Sequence, residues 1–414
     1  MLSQQSMPKN ISIKWLFIIA IILRLFVAPF FYHPDIKTYN YQSSFLKHGV
    51  FDIYTYLAEH KQELPLKEEF VYFPITYFVL GGWQLLIQPL AGGLDQWLAN
   101  AGQTFLSEPG AYRYLLLLKL PYLFLDIIIG FVIVKFGRDK VEKKKLLTFW
   151  LFNPLSILLL YVYSNVDIYP VLFILLSLLT FKKEKYIWSA VLLGFAAAFK
   201  AFPLLLLPFM LLFIPSVKTR IMFGFIAMAV FIVSIAPFIP SSAFRNATLV
   251  SGLTTRIFFQ NIHIGFGEYL MMPIILLSGL FYYAMQKQSK SFSQLVALCF
   301  LVFLIIFGSI HFHIQWLLWI LPLMGILTVY YARVTVLLWF VMLSAVVIPL
   351  LYPDLAATFG VYSGVSSLFL LIPQPFTILE KAYDPFVIQG VLHSALLGGS
   401  LITSLEFMKG KENA

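Results

Sequence analysis

The sequence predicts an all-α polytopic membrane protein, and three observations carry that reading. Only 12% of the 414 residues are charged, while 60% are hydrophobic and mean hydropathy is +0.86. Soluble globular chains are roughly a quarter charged, so this chain lacks the polar surface to face water on all sides. Apolar runs of about 20 residues, the length that crosses about 30 Å of hydrocarbon, recur along it. The remaining charges gather between those runs, many in basic clusters. A soluble enzyme, a disordered scaffold and a secreted disulfide module are excluded, the last because Cys299 is the sole cysteine. An outer-membrane barrel is disfavoured, since its strands alternate apolar and polar residues over about ten positions.

The first apolar run, 12–32, follows Lys9 and Lys14 with no small-residue cleavage site, and is expected to be an uncleaved span. Further spans are expected at 111–136, 146–163, 167–181, 187–200, 202–215, 220–239, 264–285, 292–310, 314–331, 334–351 and 384–406. The basic cluster from Arg138 to Lys145 is the strongest, followed by Lys182 to Lys185, Lys218 with Arg220, Lys287 with Lys290, Arg333, and Lys409 with Lys411. The positive-inside bias places all of them in the cytoplasm, and explains the net charge of +10 without nucleic acid.

That bias also settles the apolar stretch 72–90. If it crossed the bilayer, the cluster beginning at Arg138 would fall outside. If it lies at the outer interface or re-enters, every basic cluster falls inside. Its aromatic residues Tyr72, Phe73, Tyr77, Phe78 and Trp83 suit an interfacial helix. The expectation is therefore about twelve spans, both termini cytoplasmic, and long outer loops at 33–110 and 352–383 with a medium one at 240–263. The runs 187–200 and 202–215 are short for a bilayer and joined by Lys200-Ala201-Phe202-Pro203, a pattern that lines cavities.

Ionisable groups near membrane depth are costly and mark function or buried structure. On the expected outer side lie Asp35, Asp167, Lys200, Arg245, Arg256, His263, His311 and His313. Two acids near a cationic cluster suit general-base catalysis and anion binding. Each has a plainer alternative: Asp35 and Asp167 as helix N-caps, Lys200 as a snorkelling side chain. His311 and His313 are two apart, a poor spacing for a shared helical face. Lys119 and Asp126, seven apart in one span, are expected to be buried structural groups.

A series of short segments resembles a known superfamily. The run His33-Pro34-Asp35, then Tyr39-Asn40-Tyr41, then His48 to Tyr54, then Val71-Tyr72-Phe73-Pro74-Ile75-Thr76-Tyr77 resembles the first outer loop of GT-C glycosyltransferases. The run Trp150 to Pro154, then Ser164-Asn165-Val166-Asp167, then Gly194 to Pro203 is similar to their second module. The stretch His311 to Pro322 resembles a further family segment. The resemblance covers about residues 12–330 and is closest to the polyprenyl-phosphate-mannose-dependent mannosyltransferases. It implies a GT-C fold with outer-face juxtamembrane helices, a catalytic module at 1–239 and a C-terminal module at 240–414 completing the donor-lipid site.

It further implies transfer of a sugar, mannose by branch, from a polyprenyl-phosphate donor to a lipid or glycan acceptor on the outer or luminal face. Asp35 would be the base, seconded by Asp167. Lys200, Arg245, Arg256 and His313 would bind the donor phosphate, and His33, Tyr39, Tyr72, Asn165 and His311 would line the pocket. The Asp-x-Asp of eukaryotic relatives is absent, since His33 and Pro34 precede Asp35. That fits a lipid monophosphate better than a metal-bound diphosphate, and leaves a divalent cation open. A flippase or transporter explains the composition equally well, but the charged groups cluster on one face and no inverted repeat is evident.

Overall fold

The computed structural model describes residues 12–100, 108, 110–250, 260–286 and 290–408. Arg256, Lys9, Lys287, Lys409 and Lys411 lie outside the described residues.

The chain is helical almost throughout. Helix α1 (Ile13–Val27) leads into a layer of short helices: α2 (Pro34–Ser44), α3 (Ile53–Glu59), α4 (Pro74–Ile87) and α5 (Leu94–Ala99). Then follow α6 (Ala111–Ile133), α7 (Lys140–Phe152), α8 (Pro154–Ile157), α9 (Ile168–Lys182), α10 (Tyr186–Ala197), α11 (Leu207–Leu212), α12 (Val217–Ile235) and α13 (Ser242–Phe244). An antiparallel hairpin, β1 (Asn261–Gly265) and β2 (Glu268–Met271), precedes α14 (Met272–Gln286). The chain continues through α15 (Phe292–Ser309), α16 (Leu321–Tyr330), α17 (Thr335–Leu350), α18 (Pro375–Glu380) and α19 (Pro385–Met408).

Among the described residues, five helices are long and apolar enough to cross a membrane, and six if α7 and α8 count as one span bent by 45°. The bend has a local cause. Pro154 lacks an amide hydrogen, so the helix stops at Asn153, whose side chain then caps the next turn through the Leu155 amide at 2.9 Å. Six more apolar helices run 10–17 residues. At 1.5 Å rise per residue, a 15-residue helix such as α9 reaches only about 22 Å. The expected twelve-span arrangement requires α1 and five of these shorter helices, all but 367–380, to cross as well. The chain is thus a multi-pass membrane protein in architecture, with α15 at its centre, buried along nearly its whole length.

The expected span 264–285 starts too early: residues 264–271 belong to the hairpin, and helix begins at Met272. Hydropathy merges the two because Ile264, Phe266, Tyr269 and Leu270 are apolar. The stretch 72–90 forms the 14-residue α4, which packs on α2 and α12. Helices α9, α10 and α12 pack consecutively. Gly194 permits that contact, because a Cβ there would meet the Ala227 carbonyl oxygen at 2.4 Å.

Three buried charges of the helical bundle, Arg24, Lys119 and Asp126, form one connected set through Tyr161. Arg24 of α1 pairs with Asp126 of α6, which also accepts from the Tyr161 hydroxyl at 2.9 Å. Lys119 donates to the carbonyls of Ala28, Phe31 and Tyr161 at 2.8, 2.6 and 2.7 Å. The expectation of buried structural groups on α6 holds, with Arg24 as the unforeseen counter-charge.

Candidate active site

The α2 helix begins at His33-Pro34-Asp35. Pro34 supplies the fixed φ of a first helical turn, and His33, in extended conformation, caps the helix by accepting the Asp35 amide at Nδ1, 3.2 Å away. Capping therefore falls to His33, and the Asp35 carboxylate is released for other contacts. It accepts from Gln315 Nε2 at 3.0 Å, lies 3.5 Å from His33 Nδ1, and hydrogen-bonds the Tyr39 hydroxyl one turn along. Asp35 is deep in the molecule, yet its side chain is 37% exposed, so it fronts an open cleft. Burial pushes its carboxyl up. His33, the Tyr39 and Gln315 hydrogen bonds and His313 outweigh that, and hold it below the usual carboxylate value.

Asp167 stands at the start of α9 but makes no cap contact with that helix. Its carboxylate instead accepts from Lys200 Nζ at 3.0 Å through both oxygens and from Trp319 Nε1 at 2.7 Å. The Asp167 amide donates to Asn165 Oδ1, and Asn165 Nδ2 donates to the Gln315 carbonyl. The turn that arranges this places Ser164 in the left-handed region at φ 55°, a strained conformation for a residue with a side chain. Lys200 sits in the turn after α10, not in a free snorkelling conformation. Its ammonium lies 5.4, 5.1 and 5.2 Å from the ring centroids of Tyr72, Trp316 and Trp319, a cage of aromatic faces around a cation. Trp319 is stacked on Phe202 at 3.6 Å and on Trp316 at 4.9 Å, which fixes the cage walls.

Tyr39 and Tyr72 join the two carboxylate sites. Their rings meet edge to face at 5.1 Å and their hydroxyls are hydrogen-bonded. Burial, then the Asp35 charge for Tyr39 and the Asp167 and Asp35 charges for Tyr72, push both phenols well up, so both stay neutral donors.

The structure thus brings Asp35, His33, Tyr39, Tyr72, Asn165, Asp167, Lys200 and His313 into one neighbourhood. His311 stacks on Tyr352 at 4.1 Å and lies 6.0 Å from His313, at the edge of that group. Arg245 is not joined to it: this exposed residue donates to the carbonyls of Ile239 and Pro240 at 2.7 and 2.8 Å. His263 lies on the hairpin against Tyr269. Gln315, Trp316 and Trp319 are the components that residue-type reasoning missed, although they fall inside the His311–Pro322 stretch. Among the described residues, no three His, Cys, Asp or Glu side chains converge as a metal site.

Chemically, the arrangement offers an accessible, ionised carboxylate beside a charge-compensated Asp–Lys pair. The first can accept a proton; the second presents a cation at a polar and aromatic wall. The model of glycosyltransferase family 87 matches residues 85–309, more than half of the chain. The match takes in Asp167 and Lys200 and leaves Asp35 and Gln315 outside. Among curated proteins, none matches.

Proposed function

This chain belongs to glycosyltransferase family 87, and on that premise we propose that it moves a sugar, mannose first among candidates, from a polyprenyl monophosphate to a lipid or glycan acceptor. In this reading the protein has the GT-C architecture, about twelve spans and cytoplasmic termini, with the Asp35 cleft on the outer or luminal face. Residues 1–239 carry the catalytic groups and 240–414 complete the donor site, through His313, Gln315, Trp316 and Trp319.

The observation that carries the reading is Asp35: a carboxylate held ionised, open on one side, and tethered on the other by Gln315 and Tyr39. An acceptor hydroxyl gives its proton to Asp35 while its oxygen forms the bond to the anomeric carbon. The bond from that carbon to the phosphate oxygen breaks on the opposite face, and the electron pair leaves with the lipid phosphate. Because phosphate leaves readily as an anion, one base suffices and the configuration inverts, unlike glycoside hydrolysis with its second, protonated carboxyl. Lys200, turned partly from Asp167 toward the leaving oxygen, stabilises the charge that develops there. Asp167 holds Lys200 in position. Family membership supports transfer over transport as the use of this one-sided cluster.

The test is to supply the purified protein in lipid with a panel of labelled polyprenyl-phosphate sugars and score release of the lipid phosphate. Acceptor-dependent release from at least one donor is expected, with inverted anomeric configuration in the product. Absence of release from every donor, or retention of configuration, overturns the reading.

A further inference from the structure

A second site lies at the far end of α2 from Asp35. A cavity of about 360 Å³ opens between the C-terminal end of α4, the turn Gln88–Leu90 and α5. That volume exceeds a single water many times over and falls in the range of small-molecule sites.

Its chemistry is specific. Lys47 and Asp95 both line it and pair with one another, so their charges cancel. The amides of Gln84, Gln88 and Gln96 supply the rest of the polar wall, each with donors and an acceptor. Gln84 is 99% buried, and its Nε2 donates to the Asn40 carbonyl and side-chain oxygen at 2.8 and 3.2 Å. Its Oε1 has no partner. The floor is rigid: the Gly92 carbonyl accepts from Arg113 Nη2 at 3.0 Å and from the Tyr114 hydroxyl. Gly93 adopts φ 84°, and a Cβ there would lie 2.6 Å from that same hydroxyl. Gly92 and Gly93 add no side chains to the lining, and the turn is pinned through the Gly92 carbonyl.

We propose that this cavity binds a neutral, hydroxyl-rich sugar residue, as a distal subsite for a glycan-bearing acceptor. The balanced charge argues against an anionic headgroup, and the paired donors and acceptors of the Gln88 and Gln96 amides match hydroxyls, which need both. Helix α2 links the two sites, carrying Asp35 at its start and Asn40, the partner of Gln84, midway. Its 11 residues span about 16 Å, a distance an acceptor of a few sugar units covers. The acceptor role rests on the transferase reading; sugar binding does not.

Saturation-transfer NMR on the full-length protein in sugar-free lipid nanodiscs tests it, with methyl α-mannoside, methyl β-glucoside and α-mannotriose as probes. Transfer to at least one probe is expected in the wild type and equally in Asp35→Asn. In Gln88→Ala/Gln96→Ala, which alters two exposed side chains, affinity should fall about fivefold or more per lost amide contact. No transfer to any probe in the wild type, an unchanged signal in the double variant, or a signal lost in Asp35→Asn overturns the proposal. Displacement by inorganic sulfate overturns it too, since that marks an anion site at Lys47. Glycoside binding without donor turnover would leave the subsite standing and defeat the transferase reading instead.

Discussion

The charges of the bundle and the charges of the Asp35 cleft differ in access. In the bundle, Arg24, Asp126 and Lys119 are each at most 1% exposed, and the Lys119 ammonium has three carbonyl partners. At the Asp35 cleft, the side chains of Asp35 and Lys200 remain 37% and 24% exposed. Both groups contain a carboxylate and a cation at an aromatic wall. What separates them is access: the first is sealed and closed to any reactant, the second is held rigidly on one side and open on the other. A sealed ion pair specifies which helices meet, whereas an open one is available to chemistry.

Each variant below should act on one group and spare the other. The largest effect belongs to Asp35→Asn, which keeps the shape and removes the proposed base. Turnover should drop by about 10²–10⁴-fold with thermal unfolding unchanged, measured as lipid-phosphate release and by calorimetry on the same preparation. Asp126→Asn should do the reverse. It strands Arg24 in a sealed site, costing about 3–5 kcal/mol of stability, while activity per folded molecule stays near wild type. Arg24→Met/Asp126→Leu should recover most of that loss, since both charges leave together. Failure of the double variant to recover would give the inner pair more than a packing role.

Lys200→Ala should raise donor KM about tenfold through loss of a charge-assisted contact, leaving acceptor KM unchanged. A selective rise in acceptor KM would place Lys200 on the wrong substrate. The smallest effect concerns pH. Asp35 is held below its ordinary value of about 4, so it is ionised across the neutral range. Its activity, and the stability its partners contribute, are present above the unfolded value and lost only as pH falls through the lower folded one. Gln315→Leu removes one of the contacts that lower it, and the acid limb of kcat should move to higher pH.

The long spans were legible because a helix that crosses hydrocarbon must be apolar over its length, so ends such as those of α6 and α15 follow from the charges that flank them. The hairpin was not, since Ile264, Phe266, Tyr269 and Leu270 extend the apolar pattern of α14 across the turn at Gly265 and Gly267. Asp35, Asp167 and Lys200 stood out as ionisable groups beside apolar runs. Their partners did not. Gln315 and Trp319 are ordinary residue types within a helical stretch, and their role comes from a fold that carries them to positions some 150 and 280 residues distant in the chain. Arg24 was hidden inside the first span, and its pairing with Asp126 depends on how α1 and α6 meet.

The most direct measurement compares wild type, Asp35→Asn and Asp126→Asn in proteoliposomes, matched for folded protein, in a single turnover of labelled polyprenyl-phosphate mannose. The account predicts lipid-phosphate release by wild type and Asp126→Asn, and near-complete loss in Asp35→Asn alone. Release by Asp35→Asn at the wild-type rate would contradict it.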